Sequence, residues 1–223
     1  MKWLRSGLGK LGVGQLAIDR LDPGNSALVV IDVQNDFCSP RGVMAKSGKD
    51  VSGAVAMIPR LERLIEGAHQ SNVPVILVRT IHSPETTSQA WRYRTGRAEQ
   101  VPNCVPGSWG AEFFELKPAP DDFIVTKHRY SAFNSPEFIE LLARLKRSSL
   151  LFCGVATNVC VETSLRDATC SDYYSTLVED CSSAYLKSLH DGTVHNVMSN
   201  FGQVVTVDEI LVRWLGIPSN SLS

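Results

Sequence analysis

Three side chains in this sequence could act together on a carbonyl group: Asp32, Lys127 and Cys160. Asp32 ends the apolar run ALVVID (27–32), Lys127 ends FIVTK (123–127), and Cys160 follows SLLFCGVA (149–156) at the expected start of a helix. A thiol is a useful nucleophile only as thiolate, and a helix N-terminus and a nearby ammonium both favour that anion. A carboxylate beside it could take the thiol proton and later return it to a leaving nitrogen. Thr157 or Asn158 is the expected N-cap of the helix that carries Cys160. The backbone N–H groups of Ala156 and Cys160 are the candidates for an oxyanion hole. Taken singly, each residue has an ordinary structural explanation: an Asp after a strand caps a turn, a Lys is solvated, a Cys is a small buried hydrophobe. Their joint placement at strand ends is what points to chemistry, because ligands of open α/β sheets bind beyond the carboxyl ends of the strands.

The elements that must hold these residues are six apolar, β-branched runs alternating with helical patterns. The runs are 27–32, 73–80, 123–127, 149–156, 175–180 and 203–207. Such alternation predicts a three-layer α/β/α fold around a mainly parallel six-stranded sheet. Met57, Ile58, Leu61, Leu64, Ile65 and Ala68 recur at helical spacing between the first two strands. Ser135-Pro136-Glu137 reads as an N-cap, a proline at the first helical position and an acid in the first turn, with Phe138, Leu141, Leu142 and Leu145 as the buried stripe. Residues 82–120 carry no periodic pattern. They hold Trp91, Arg92, Tyr93, Arg94, Arg97 and Trp109, and a segment of that length and content is expected to cover a substrate.

Composition narrows the partners. Lys plus Arg number 22 against 23 Asp plus Glu, so no net field would hold the chain on nucleic acid or an anionic membrane. A small molecule is the expected partner. No run reaches the ~18 consecutive apolar residues of a membrane span. Six cysteines (38, 104, 153, 160, 170, 181) form no CxxC pair, and reduced thiols in a cytoplasmic protein are expected. Residues 1–25, with glycines at 7, 9, 12 and 14, read as an N-terminal arm ahead of a single domain over 26–223.

VVIDVQNDF (29–37), KHRYSAF (127–133) and GVATNVCVETSLRDA (154–168) occur in that order. Together they make residues 26–210 resemble the isochorismatase-like cysteine hydrolases. The resemblance implies a catalytic triad of Asp32, Lys127 and Cys160, a cis peptide between Val155 and Ala156 that aims the Ala156 N–H into the oxyanion hole, strand order 3-2-1-4-5-6, and a homodimer or homotetramer. In that order the strand of Lys127 lies two places from that of Asp32, roughly 10 Å across the sheet, a gap that only a long side chain closes. The cysteine at 160 disfavours the vinyl-ether cleavage of isochorismatases proper. Nicotinamidases of the family add a metal site after the second strand. This sequence offers only His82 there, too few ligands for zinc, and histidines 69, 128, 190 and 195 share no ligand spacing. No metal and no cofactor are therefore expected, and His82 is expected to be a pocket-wall or structural residue.

The second and third motifs most resemble the ureidoacrylate amidohydrolases and the carbamoyl and biuret-type hydrolases. The expected reaction is hydrolysis of a linear amide, ureido or carbamoyl C–N bond through a thioester-type acyl-enzyme, releasing ammonia or carbamate. Phe37, Trp91, Arg92, Trp109, Tyr130 and Phe133 are the candidate substrate contacts, and one of Arg92, Arg94, Arg97 and Arg129 is expected to clamp a carboxylate. The alternatives are a nicotinamidase-like or biuret- and triuret-type hydrolase and, from another class, a non-catalytic binding or thiol-sensing protein on the same fold.

Overall fold

The structure is a computed structural model that describes residues 20–93 and 102–216. Six strands form one sheet: β1 (Ser26–Ile31), β2 (Val75–Thr80), β3 (Phe123–Lys127), β4 (Ser149–Val155), β5 (Tyr174–Ser183) and β6 (Gln203–Val205). Their spatial order is β3-β2-β1-β4-β5-β6, and all five pairings are parallel. All carboxyl ends consequently lie along one edge.

Period-2 alternation sends successive residues of each strand to opposite faces. Leu28, Val30, Leu77, Leu151, Cys153 and Val178 meet α1 (Ser52–Gln70) and, at the far end of the chain, a helix over Val207–Leu215. Val29, Ile31, Ile76, Val78, Leu150 and Phe152 meet α2 (Pro136–Leu145) and α3 (Glu162–Cys170). Between α3 and the C-terminal helix, which becomes α5, lies α4 (Lys187–Asn196). Strands covered on both faces need continuous apolar runs, and β1 and β4 are buried at every position.

Two N-caps differ from the expected ones. Ser135 precedes α2 in extended conformation, but its hydroxyl donates to the Thr126 carbonyl at 3.0 Å instead of accepting from the helix. The segment that carries Cys160 is capped by Ala156, not by Thr157 or Asn158, and Thr157–Val161 forms a π-helical turn that runs into α3. Thr157 Oγ1 is engaged elsewhere, 3.0 Å from His190 Nδ1.

Residues 1–19 of the expected arm lie outside the described residues. Residues 20–25 pack on the domain: Leu21 is buried, its carbonyl accepts from Trp214 Nε1 at 2.9 Å, and the Arg20 carbonyl accepts from Ser149 Oγ at 2.5 Å.

Candidate active site

Asp32 directly follows β1 with φ of 54°, a left-handed conformation that aspartate tolerates better than most residues. Its side chain is 1% exposed and that of Lys127 is 0% exposed, and Lys127 Nζ donates to Asp32 Oδ2 at 2.7 Å. Nζ also donates to Thr80 Oγ1 at 2.6 Å and to the Arg129 carbonyl at 3.0 Å, which uses all three ammonium protons. Thr80 Oγ1 in turn donates to Asp32 Oδ1 at 3.0 Å. A buried ion pair persists only when further hydrogen bonds satisfy it, and here the strand between the two partners supplies them.

Cys160 lies in the π-helical turn, partly exposed, beside this pair. Burial of the thiol and the adjacent Asp32 carboxylate push its pKa up, while the Lys127 ammonium pulls it down. The upward causes are the larger. Burial also draws Lys127 downward, but Asp32 and Cys160 outweigh it and hold the ammonium above its ordinary range.

Backbone and side-chain bonds lock the turn that carries Cys160. The Ala156 carbonyl accepts from Val159 N at 3.0 Å and Val161 N at 3.4 Å. Ser164 Oγ donates to the Cys160 carbonyl at 2.7 Å and accepts from Ala132 N at 3.0 Å, tying the loop after β3 to the Cys160 turn. The peptide Val155–Ala156 is cis. Gly154 beside it has φ of 113°, and a Cβ there would stand 2.1 Å from the Ile31 carbonyl oxygen; only glycine allows β4 to approach β1 so closely.

Asp32 and Cys160 line a cavity of about 170 Å³, room for a small substrate only, and Lys127 lies buried behind Asp32. Asp32, Thr80, Val155, Ala156 and Cys160 form its floor, and Phe37, Met44, Val159 and Tyr185 line it as well. The rest of its lining, a wall, is made of His82, Trp91, Asn103, Arg129 and Tyr130. Trp91 meets Tyr130 edge-on with ring centroids 4.7 Å apart, and the Arg129 guanidinium lies 4.9 Å above the Trp91 ring. Arg129 Nη1 donates to the carbonyls of Thr86 at 2.9 Å and His128 at 2.7 Å.

Of the six substrate contacts expected from the sequence, Phe37, Trp91 and Tyr130 line this cavity and three do not. Arg92 is exposed on the helical turn Gln89–Tyr93. Trp109 is 40% exposed, with the Arg41 guanidinium 4.8 Å above its ring. Phe133 packs edge-on against Phe138 at 5.2 Å, in the apolar layer under α2. Arg94 and Arg97 lie outside the described residues.

Of the two roles expected of it, His82 takes the pocket wall, its Nδ1 2.8 Å from Asn103 Oδ1. Among the described residues no three His, Cys, Asp or Glu side chains are grouped as metal ligands. An amide oxygen and an indole surround His82, so the residues here do not fit a nicotinamidase-type metal.

Sequence reading missed Thr80, Asn103 and Tyr185, and gave Gln34 no role. Gln34 is buried; its Oε1 accepts from Thr80 N at 2.7 Å while Nε2 donates to the carbonyls of Thr80 and Ala111, both at 2.9 Å. Next to it, Asn35 Nδ2 donates to the Trp109 carbonyl at 2.8 Å, and Asp36 Oδ2 accepts from Cys104 N at 2.7 Å. The stretch QND (34–36) thus pins the far part of the 82–120 segment beside the cavity. A signal was present: three consecutive amide or acid residues straight after a buried strand need partners for their polar atoms.

Comparison with known proteins bears on the family and the fold. A profile described as the isochorismatase domain matches residues 26–209. The ureidoacrylate amidohydrolase RutB of Methylobacterium radiotolerans is 32% identical over 90% of this chain and 83% of its own length. That of Azorhizobium caulinodans is 33% identical over 86% of this chain and 92% of its own. Among solved structures, a cysteine hydrolase from Pseudomonas syringae pv. phaseolicola superposes with a TM-score of 0.79 at 25% identity, covering 87% of this chain and 94% of the other. The resemblance read from the three motifs, the observed strand order and these matches agree: the chain belongs to the isochorismatase family of hydrolases.

Proposed function

We propose that this protein is a cysteine amidohydrolase that cleaves a linear amide, ureido or carbamoyl C–N bond of a small, carboxylate-bearing molecule. The observation that carries the reading is a thiol and a carboxylate lining one small cavity, with a buried ammonium bonded to that carboxylate. Asp32 takes the Cys160 proton as sulfur attacks the carbonyl carbon, and the Ala156 and Cys160 N–H groups receive the developing oxyanion. The protonated Asp32 then gives its proton to the leaving nitrogen, the C–N bond breaks and a thioester remains. Water, deprotonated by Asp32, hydrolyses the thioester and restores the thiol. Lys127 stays charged throughout and offsets the negative charge that accumulates beside it.

The substrate class follows from the wall. Arg129 is the arginine among the described residues that lines the cavity, and its guanidinium is the carboxylate clamp of this proposal. Trp91 and Tyr130 give a flat ureido or acrylate-like body an aromatic surface. The relatives named ureidoacrylate amidohydrolase support an acyclic ureido acid over a nicotinamidase-like choice. Biuret-type substrates remain within the same chemistry. We extend the reading to a cytoplasmic homodimer or homotetramer; all six cysteines are free thiols, which suits a reducing compartment. Among the described residues no helix is long and apolar enough to cross a membrane.

Ammonia release tests this on a panel of ureido acids, biuret, nicotinamide and maleamate, with a chelator present throughout. An acidic acyclic compound should be the best substrate. Cys160→Ala should lose at least about a hundredfold in turnover, as removed nucleophiles do, with its melting temperature kept. Nicotinamide as best substrate, chelator sensitivity, or an active Cys160→Ala would each overturn a stated part of the reading.

A further inference from the structure

Asp32 and Lys127 sit on strands that are not neighbours. With order β3-β2-β1, whatever ends β2 must stand between them. That residue is Thr80, the register partner of Lys127. Paired residues in register project to the same face of a sheet, so the Thr80 hydroxyl is delivered between the ammonium and the carboxylate. A hydroxyl has one proton. Since Lys127 Nζ donates to Thr80 Oγ1 at 2.6 Å, the hydroxyl proton is free to point at Asp32 Oδ1, 3.0 Å away. The polarity of the chain is therefore set as ammonium to hydroxyl to carboxylate. Oδ2 is occupied by Lys127 itself, and Asp32 is gripped at both oxygens.

The Thr80 backbone is held as firmly as its side chain. Gln34, two residues beyond Asp32, closes a two-bond amide pair on Thr80 N and Thr80 O and reaches on to the Ala111 carbonyl. The ends of β1 and β2 and the covering segment are thereby joined through one buried glutamine amide. We propose that Thr80 is a positioning residue for catalysis: its hydroxyl, registered by Gln34, orients the Asp32 carboxylate and the Lys127 ammonium towards Cys160. With its bonding directions used by these two groups, Thr80 contributes little to holding the substrate. This inference rests on the proposed use of Cys160, Asp32 and Lys127.

Three substitutions separate this role from packing. Thr80→Val keeps the shape and removes the hydroxyl, Thr80→Ser keeps the hydroxyl, and Thr80→Ala leaves space for a water in its place. Steady-state kinetics on the best substrate should give kcat in the order wild type, Ser, Ala, Val. Val should fall at least about thirtyfold, Ser should recover to within about fivefold, and KM should change less than about threefold in all. A packing role predicts instead that Val is the least affected and Ala the most. That order, a Val variant within about threefold of wild type in kcat, or a loss confined to KM would overturn the inference. Thermal melts exclude unfolding, and Ala and Ser still decide the matter if Val does not fold. Cys160→Ala is run alongside: if it is inactive while Thr80→Val keeps full kcat, only the role of Thr80 falls. If Cys160→Ala is itself active, the triad falls first.

Discussion

The floor and the wall of the cavity are built on opposite principles. On the floor and just beneath it, Asp32, Thr80 and Lys127 are buried at or just past strand ends, and each is fixed by short hydrogen bonds to the others. On the wall, His82, Trp91, Asn103, Arg129 and Tyr130 are all partly exposed and come from the connections around β3, held by ring contacts and bonds to carbonyls. Strand ends cannot shift without breaking the sheet, whereas connecting segments accept changes of length and sequence. Under the proposed function, the difference assigns reaction type to the sheet and selectivity to the segments laid over it.

If this division holds, damage to the floor should act on turnover and damage to the wall on discrimination. The largest effect is expected from Lys127→Met. Removing one member of a buried pair leaves the Asp32 charge uncompensated, a cost of about 3–5 kcal/mol in stability, and turnover should fall by about a hundredfold or more. Alkylation of Cys160 by iodoacetamide at neutral pH should slow as well, because the ammonium lowers the thiol pKa. Equal alkylation rates in variant and wild type would show that floor and thiol are not electrostatically coupled.

Arg129→Gln should act more mildly and selectively. For an acidic substrate kcat/KM should drop by roughly ten- to a hundredfold, against less than about threefold for its neutral amide analogue, since only the acid loses a charged partner. Comparable losses for both compounds would remove Arg129 from the recognition of charge.

The smallest effect concerns a third region, the brace behind the nucleophile. Glu162, directly after the π-helical turn, accepts from Thr193 Oγ1 and Asn196 Nδ2, each at 2.6 Å, and pairs with Arg166, joining α3 to α4. Burial pushes the pKa of Glu162 up, but the bonds from Thr193, Arg166 and Asn196 outweigh it and hold the group below its ordinary value of 4.5. A carboxyl depressed on folding stabilises above its unfolded pKa, and that stability is lost as pH falls through the folded one. Glu162→Gln should lower the melting temperature at neutral pH by roughly 2–4 °C, corresponding to about 1 kcal/mol. The gap between variant and wild type should narrow as pH falls below 4.5 and close once the folded carboxylate is protonated. A gap that persists unchanged in acid would mean that the carboxylate charge is not what joins the two helices.

Much of this molecule was legible in the chain itself. Apolar runs mark strands buried on both faces because period-2 alternation exposes both sides of a strand to the core, and all six appear within a few residues of the expected positions. Asp32, Lys127 and Cys160 stood out because each is a reactive group at the carboxyl end of such a run or just after it. The tertiary structure alone decided how they are joined. Thr80 lies 48 residues from Asp32 and 47 from Lys127 along the chain, and an isolated threonine ending a strand says nothing until strand order places β2 between β1 and β3. The same holds for the wall. Trp91 faces the cavity while Trp109 lies outside it, although both sit in one patternless segment. Their directions depend on where Gln34, Asn35 and Asp36 anchor that segment, and such anchoring is made of long-range hydrogen bonds that leave no period in the sequence.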